Sequence, residues 1–330
     1  MLRYIIRRLL WSIPTLLIVT FLVYVAIRVG TNPVESFKRT NIHATKKQIA
    51  KYKEVNGLYD GFNGYLKGYW EWVKKFVTGP DHWPKTIKGK KAVWPDLKNA
   101  LMNSIRLGMV AVFFGIVLGN MLGIAAARKP GGFRDGFING GALLGIAVPP
   151  YVTGFFMQLV FSIYWARWFG HTLLPTSGIY PPGHKGFDIV LMAKYMIAPV
   201  IVVAIQSIST YARYMRSSLL DVTNADYLRT ARSKGISERR VLVHHALRNA
   251  LIPVTTLAFL EIGGVVAGLI ITEVVFSYPG MGYYFLKAYE SGEFPKLLPW
   301  MVLIMLSVII FNLFADILYA VLDPRIRLDD

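Results

Sequence analysis

Asp226-Tyr-Leu-Arg-Thr-Ala-Arg-Ser-Lys-Gly235 is a short basic stretch with a helical pattern that ends on a glycine. Long apolar runs flank it, about Tyr195 to Tyr214 before and Leu251 to Phe276 after. Only a helix or a closed barrel satisfies its own backbone in lipid, and about 20 apolar residues carry a helix across. The basic stretch therefore reads as a loop held at a membrane surface between two spans, where a second protein can push on it.

Working outward, four more runs have spanning length: Leu9 to Val29, Ile105 to Ala127, Phe137 to Trp165 and Leu297 to Leu322. Six spans result, the third interrupted by Pro149-Pro150, which should bend it. Arg3, Arg7 and Arg8 ahead of the first run give it the look of a signal peptide. The run is too long for one and no small-residue cleavage site follows cleanly, so an uncleaved first span is expected. The composition agrees, with 54% hydrophobic residues and a mean hydropathy of +0.42 over 330 residues. Cysteine is absent, which excludes disulfides and cysteine-ligated metal sites.

The net charge of +18 invites a nucleic-acid reading, but the basic residues gather at the ends of apolar runs. In short loops such residues mark the cytoplasmic side. The N-terminus, the turn at Arg128, Lys129 and Arg134, the loop from Arg213 to Arg248, and the tail with Arg325 and Arg327 all fall on one side if both termini lie inside. Gly30 to Lys98 then lies outside despite its lysines, since long segments cross largely regardless of charge. The expected organisation is residues 1–29 as tail and first span, 30–98 as an outer insert, and 99–330 as a membrane core with a loop at about 215–250.

Within the insert, Thr45-Lys-Lys-Gln48 has capping-box form. Tyr65, Tyr69, Trp72 and Phe76 recur at helical spacing, so Tyr65 to Val77 is expected to be a helix whose aromatics pack onto the spans, with a docking platform as the sharper reading. Gly115, Gly119 and Gly123 expose backbone for close helix packing, and Gly264 and Gly268 are expected to do the same. Carboxylates within spans must face protein or water. Glu273 reads as interfacial and Asp316 as the partner of a tail arginine. Glu261 is the candidate polar lining residue, a structural helix-to-helix bond being an equal reading. In the loop, Thr223 is expected to cap a helix ending at Gly235, and Ser237-Glu238 to start a second short helix.

The run Asp226 to Pro253, with Ser237-Glu-Arg-Arg240 and His245-Ala-Leu-Arg-Asn-Ala-Leu-Ile-Pro253, resembles the coupling loop of type I binding-protein-dependent ABC importers, in the oligopeptide, dipeptide and nickel branch. Against the general motif of that superfamily, Ala231, Gly235 and Leu247 match, while its acidic residue is replaced by Arg229. Met1-Leu-Arg-Tyr-Ile-Ile-Arg-Arg-Leu-Leu10, Asn103-Ser-Ile-Arg-Leu-Gly108 and Glu273-Val-Val-Phe-Ser-Tyr-Pro-Gly-Met-Gly282 are similar to the first subunit of the permease pair. The insert departs most, with Thr31-Asn-Pro33 where the family often has Pro-Gly-Asp-Pro.

The resemblance implies an all-α polytopic permease subunit of a bacterial or archaeal plasma membrane, importing oligopeptides or dipeptides. It implies a second permease subunit, two ATPase subunits that bind ATP and Mg, and an extracytoplasmic solute-binding protein. Asp226, Arg229, Thr230, Ala231, Arg232, Lys234 and Gly235 would then couple the chain to an ATPase. No cofactor, metal or catalytic residue is expected in the chain itself, which has no Gly-x-x-x-x-Gly-Lys-Ser/Thr loop for ATP. An importer of nickel or another small solute fits the same scaffold. An ion-coupled carrier using Glu261 is disfavoured by the absence of inverted repeats, and a membrane enzyme by the absence of a His-Glu-x-x-His motif.

Overall fold

The computed structural model describes residues 2–322 apart from 88, 185 and 224, and among these every regular element is helical. The tail arginines Arg325 and Arg327 lie outside the described residues. Among the described residues five helices are long and apolar enough to cross a bilayer. They belong to α1 (Leu2–Thr31), α5 (Trp94–Ala127), α9 (Ile189–Thr223), a continuous helical stretch over Glu238–Val265, and α15 (Phe294–Leu322). The polar residues of the first span are reconciled with lipid locally: Ser12, Thr15 and Thr20 each donate to the carbonyl four residues back, at 2.6–2.8 Å.

The sixth expected crossing is a broken one. α6 (Phe133–Ala147) and α7 (Pro150–Gln158), the latter continued by a π-helical turn into α8 (Trp165–Phe169), meet at the proline pair with a bend of 93°. The chain has to return here, because α5 and α9 run parallel. Asp135 at the start of α6 pairs with Arg216, Gly145 abuts Ser209 and Ile205, Gln206 donates to the Val148 carbonyl at 3.5 Å, and Met157 shares a core with Met196. From Arg216 to Met196 the bent pair follows α9 for about 30 Å at 1.5 Å per residue, the thickness of a bilayer core.

The parallel packing of α5 on α9 rests on the glycines expected to make it. A Cβ added at Gly119 would lie 2.5 Å from the Tyr211 Cβ and 2.8 Å from the Ile208 carbonyl. One at Gly123 would lie 2.6 Å from the Ala212 carbonyl, and one at Gly115 would collide with Ser207. The second glycine pair behaves otherwise. Gly264 faces open space, and Gly268 is outside the helix with φ +89, in a turn where an added Cβ would meet the Gly282 backbone. The fifth span thus ends at Val265, earlier than Phe276, and a short helix α13 (Ile270–Val275) follows the turn. Gly263, one place earlier, makes the close contact, its added Cβ lying 2.8 Å from the Phe311 Cβ on α15, beside the bond from Ser307 to the Gly263 carbonyl.

Among the described residues the insert holds three α-helices, α2 (Pro33–Thr40), α3 (Lys46–Val55) and α4 (Phe62–Val77), and a single 3-10 turn over Pro80–His82. Thr45 closes the capping box of α3 with Gln48. Tyr69 and Trp72 of α4 are buried against Tyr24 of α1 and Phe294 of α15, and the Tyr69 hydroxyl donates to the Leu17 carbonyl at 3.0 Å. The aromatic face of α4 is therefore spent on packing against the spans. At the opposite end of the bundle Asp316 pairs with Arg8 at 3.0 Å, so its partner comes from the first span.

If the α5–α9 seam holds the core together, Gly119→Leu should lose the folded complex, the overpacking costing on the order of 1–3 kcal/mol or more. Gly264→Ala should leave thermal unfolding in detergent unchanged. Equal behaviour of the two variants would contradict the assignment of the seam.

Candidate functional site

The basic stretch forms α10 (Asp226–Ser233), and its fold follows from two residues. Leu228 and Ala231, three places apart, turn to one side and are 0% and 7% exposed. They enter a core with Met215 and Leu219 from the end of α9, and Val241 and Ala246 from the start of the fifth span. The other face carries Tyr227, Arg229, Thr230, Arg232, Ser233 and Lys234, all exposed. The helix is thus fastened on one side and bare on the other.

Its ends differ from the sequence expectation in one respect. Thr223 belongs to α9, where its hydroxyl bonds the Leu219 carbonyl at 2.6 Å, and Ala225 precedes α10 without a side-chain cap. A hydroxyl can be spent on the helix it ends as readily as on the one it precedes. Gly235 stops the helix as expected, with φ +74 and its N–H on the Arg232 carbonyl at 2.9 Å. An added Cβ there would meet nothing, so the glycine serves backbone conformation rather than space.

Beyond the glycine there is no second separate helix. α11 (Glu238–Arg240) runs through a π-helical turn (Val241–Ala246) into α12 (Leu247–Val265), so the loop ends by becoming the fifth span. Arg232 closes the turn with Glu238 at 2.8 Å, and the Asn249 amide donates to the Tyr227 hydroxyl at 2.7 Å. Arg229 and Asp226 stand 3.8 Å apart with both side chains open to solvent, a pair worth little to stability. Between α10 and the ends of α5 and α9 lies a cleft of about 750 Å³ bordered by Arg128, Arg232 and Arg239.

Two further constructions hold this end and the opposite end rigid, and both rest on carboxylates. Asp135, 3% exposed, takes both prongs of Arg216 at 2.6 and 2.7 Å, the Gly131 N–H at 2.8 Å and the Asn139 amide at 2.5 Å. It locks the start of α6 to the loop end of α9. Its signal in the sequence is that of a lone acid in the basic turn of Arg128, Lys129 and Arg134. Glu273 is fully buried rather than interfacial. It accepts from Ser104 at 2.6 Å, Leu269 N at 3.2 Å, Gly282 N at 2.7 Å and Tyr283 N at 3.0 Å. The carboxylate thereby binds the turn of α13 to the first residues of α14 (Met281–Glu290) and to α5. Glu261 takes the Ser207 hydroxyl, a bond between α12 and α9 that satisfies the helix-to-helix reading. It stands well away from the loop in sequence, within the same helix.

Residues 119–328, from the glycine seam to the tail, match the family described as binding-protein-dependent transport system inner membrane component. The chain belongs to this family. The permease is 33% identical to the oligopeptide transport system permease protein AppB of Bacillus subtilis over 98% of this chain and 99% of that protein. It is 31% identical to the dipeptide transport system permease protein DppB of Escherichia coli, over 99% of each chain. With the oligopeptide transport system permease protein OppB of Haemophilus influenzae the identity is 33%, over 99% of this chain and all of the relative. Among solved structures, an inward-facing MetNI methionine ABC transporter chain overlays 70% of this chain and 97% of its own at a TM-score of 0.51 and 14% identity. That likeness extends to the fold, which is the type I importer permease fold of a multi-pass inner-membrane component. ATP hydrolysis in such systems is carried by separate subunits.

Leu228→Ala tests the attachment of α10. Removing a fully buried leucine costs about 2–5 kcal/mol, enough to free a short helix while the spans stay folded. Amide hydrogen exchange over residues 226–236 should rise at least tenfold in the variant, with exchange in α5 and α9 unchanged. Unchanged exchange in the loop would show that Leu228 does not anchor it.

Proposed function

We propose that this chain is one of two pore-forming subunits of an ATP-driven, binding-protein-dependent importer of peptides, and that α10 is the surface on which an ATPase subunit acts. The observation that carries the reading is the end-to-end similarity to permease proteins of oligopeptide and dipeptide systems. It is supported by a short basic helix with one face sealed into the ends of two spans and the other face free. A push on the free face is resisted by Leu228 and Ala231 and passes to α9 and to the continuous α11–α12 helix.

In this reading Arg229, Thr230, Arg232 and Lys234, with Asp226 at the helix start, meet the ATPase surface. Ala231 seats the helix, and Gly235 sets the angle at which the chain turns into the fifth span. ATP and Mg²⁺ belong to two partner ATPase subunits, and a second permease subunit completes the pore. Basic residues at the loop end support an orientation with both termini and the coupling loop of about 215–250 in the cytoplasm, which in this reading is that of a bacterial or archaeal cell. The insert at 30–98 then faces outward, where a solute-binding protein delivers the peptide. Glu261 is assigned to the lining of the pathway, held by Ser207.

The complex reconstituted in proteoliposomes should take up labelled tripeptide only with ATP, the ATPase subunits and the binding protein present. Replacing both Arg229 and Lys234 by Glu reverses two exposed charges without touching the buried face. Uptake should fall at least tenfold in that variant while the permease still inserts. Full uptake by the variant would remove α10 from the coupling role, and uptake without ATP would remove the importer reading.

A further inference from the structure

At the insert end of the core lies a cavity of about 840 Å³, walled by the first third of α5, by Ile179, Tyr180, Gly186 and Phe187, and by α14. Its wall is built firmly: the Asn103 amide donates to the Pro279 carbonyl at 2.9 Å, and the Tyr278 hydroxyl donates to the Asn103 carbonyl at 3.1 Å. Glu273 fixes the start of α14 from behind. Among the described residues four cations border the space, Lys98, Arg106, Lys287 and Lys296, against one carboxylate, Asp96.

Their pairing is uneven. Lys296 stands 3.8 Å from Asp96 and Lys287 3.2 Å from Glu290. Among the described residues neither Arg106 nor Lys98 has a carboxylate within ion-pair distance. Arg106 is half-buried, twelve residues into a membrane-spanning helix, about 18 Å along it. Its polar contact is one long bond of 3.4 Å to Asn103 Oδ1, and the Phe187 ring lies 5.9 Å away. Arg106 stands at the start of the apolar run of α5, and a half-buried guanidinium there without a counter-charge favours an anion that can reach it. Its planar fork matches a carboxylate. Tyr180 and Tyr283 on the same wall add apolar surface with polar tips, suited to a ligand that is partly side chain and partly backbone.

We infer that this cavity is a carboxylate subsite for the incoming solute, in which Arg106, helped by Lys98, receives the C-terminal carboxylate of a peptide. This rests on the reading of the chain as a peptide importer. A lipid phosphate would suit the same cations, so the two sources of anion have to be separated by experiment.

The test uses the full complex in nanodiscs and proteoliposomes, with trialanine and trialanine amide as probes. Comparing the ratio of the two uptake rates between wild type and Arg106→Gln cancels any preference of the binding protein. The wild type should favour the free carboxylate, and Arg106→Gln should lower that ratio about tenfold, the worth of one charge-assisted hydrogen bond. Arg106→Lys should keep most of it. The result should be the same in phosphatidylcholine and in phosphatidylcholine with phosphatidylglycerol. An equal loss for both probes, an unchanged ratio, or a ratio that shifts with the anionic lipid would overturn the subsite. A second readout needs no transport: labelling of Arg106 by phenylglyoxal, followed by mass spectrometry, should be blocked by trialanine and not by its amide. Protection without peptide uptake would leave the subsite standing and overturn the importer reading. Uptake without such protection would do the reverse.

Discussion

The packing of Leu228 and Ala231 into the ends of α9 and α12 is the contact on which the other features depend. A basic loop that merely floated at the membrane surface would bend under load. Here the loop helix shares one core with Met215, Leu219, Val241 and Ala246, so its position is fixed relative to two spans at once. The cost of opening that core is a few kcal/mol, comparable with what a protein contact on the free face can supply. Displacement of the helix is thereby resisted by two spans at once. The continuous helix from Glu238 to Val265 extends the same logic, because it leaves no flexible linker between the loop and the fifth span.

Rigidity elsewhere is obtained by the same economy of polar groups. Lipid offers no hydrogen bonds, so each irregular turn in the core has to be satisfied by protein. Asp135 does this at the loop end, where it binds Arg216 and the Gly131 N–H together. Glu273 does it at the other end, where four donors converge on one buried carboxylate. The glycine seam between α5 and α9 lets two parallel helices approach until side-chain carbons of one meet the backbone of the other. The seam and the Asp135–Arg216 pair hold the loop half of α9, the helix that receives the loop, while Glu273 ties α5 to α13 and α14.

What the sequence revealed was what local pattern can encode. Apolar run length located the spans, Pro149-Pro150 located the bend, Thr45 with Gln48 gave the capping box, and Gly115, Gly119 and Gly123 gave the seam. Gly235 was legible because a positive φ at a helix end calls for glycine. Long-range pairing was not legible: nothing near Asp135 names Arg216, and nothing near Arg8 names Asp316. Glu273 reads as interfacial when the apolar run is followed to Phe276, whereas the turn at Gly268 folds it back into the core. Thr223 and the second loop helix are ambiguous in the sequence because a capping residue and a helix start look alike on either side of a break. The peptide-permease resemblance came from residues spread along the chain, and the matches over nearly its whole length bear it out.

The account turns on α10 touching a nucleotide-hydrolysing partner on the inner side of the membrane. Because the chain has no cysteine, Lys234→Cys supplies a single thiol on the free face of that helix, and a short thiol-to-amine cross-linker can report its neighbour. The account predicts a cross-link to the ATPase subunit whose yield changes when ATP is added, with the thiol closed to a membrane-impermeant reagent applied to intact cells. A thiol that reacts from outside, or a complex that assembles yet gives no cross-link to the ATPase subunit, would contradict it.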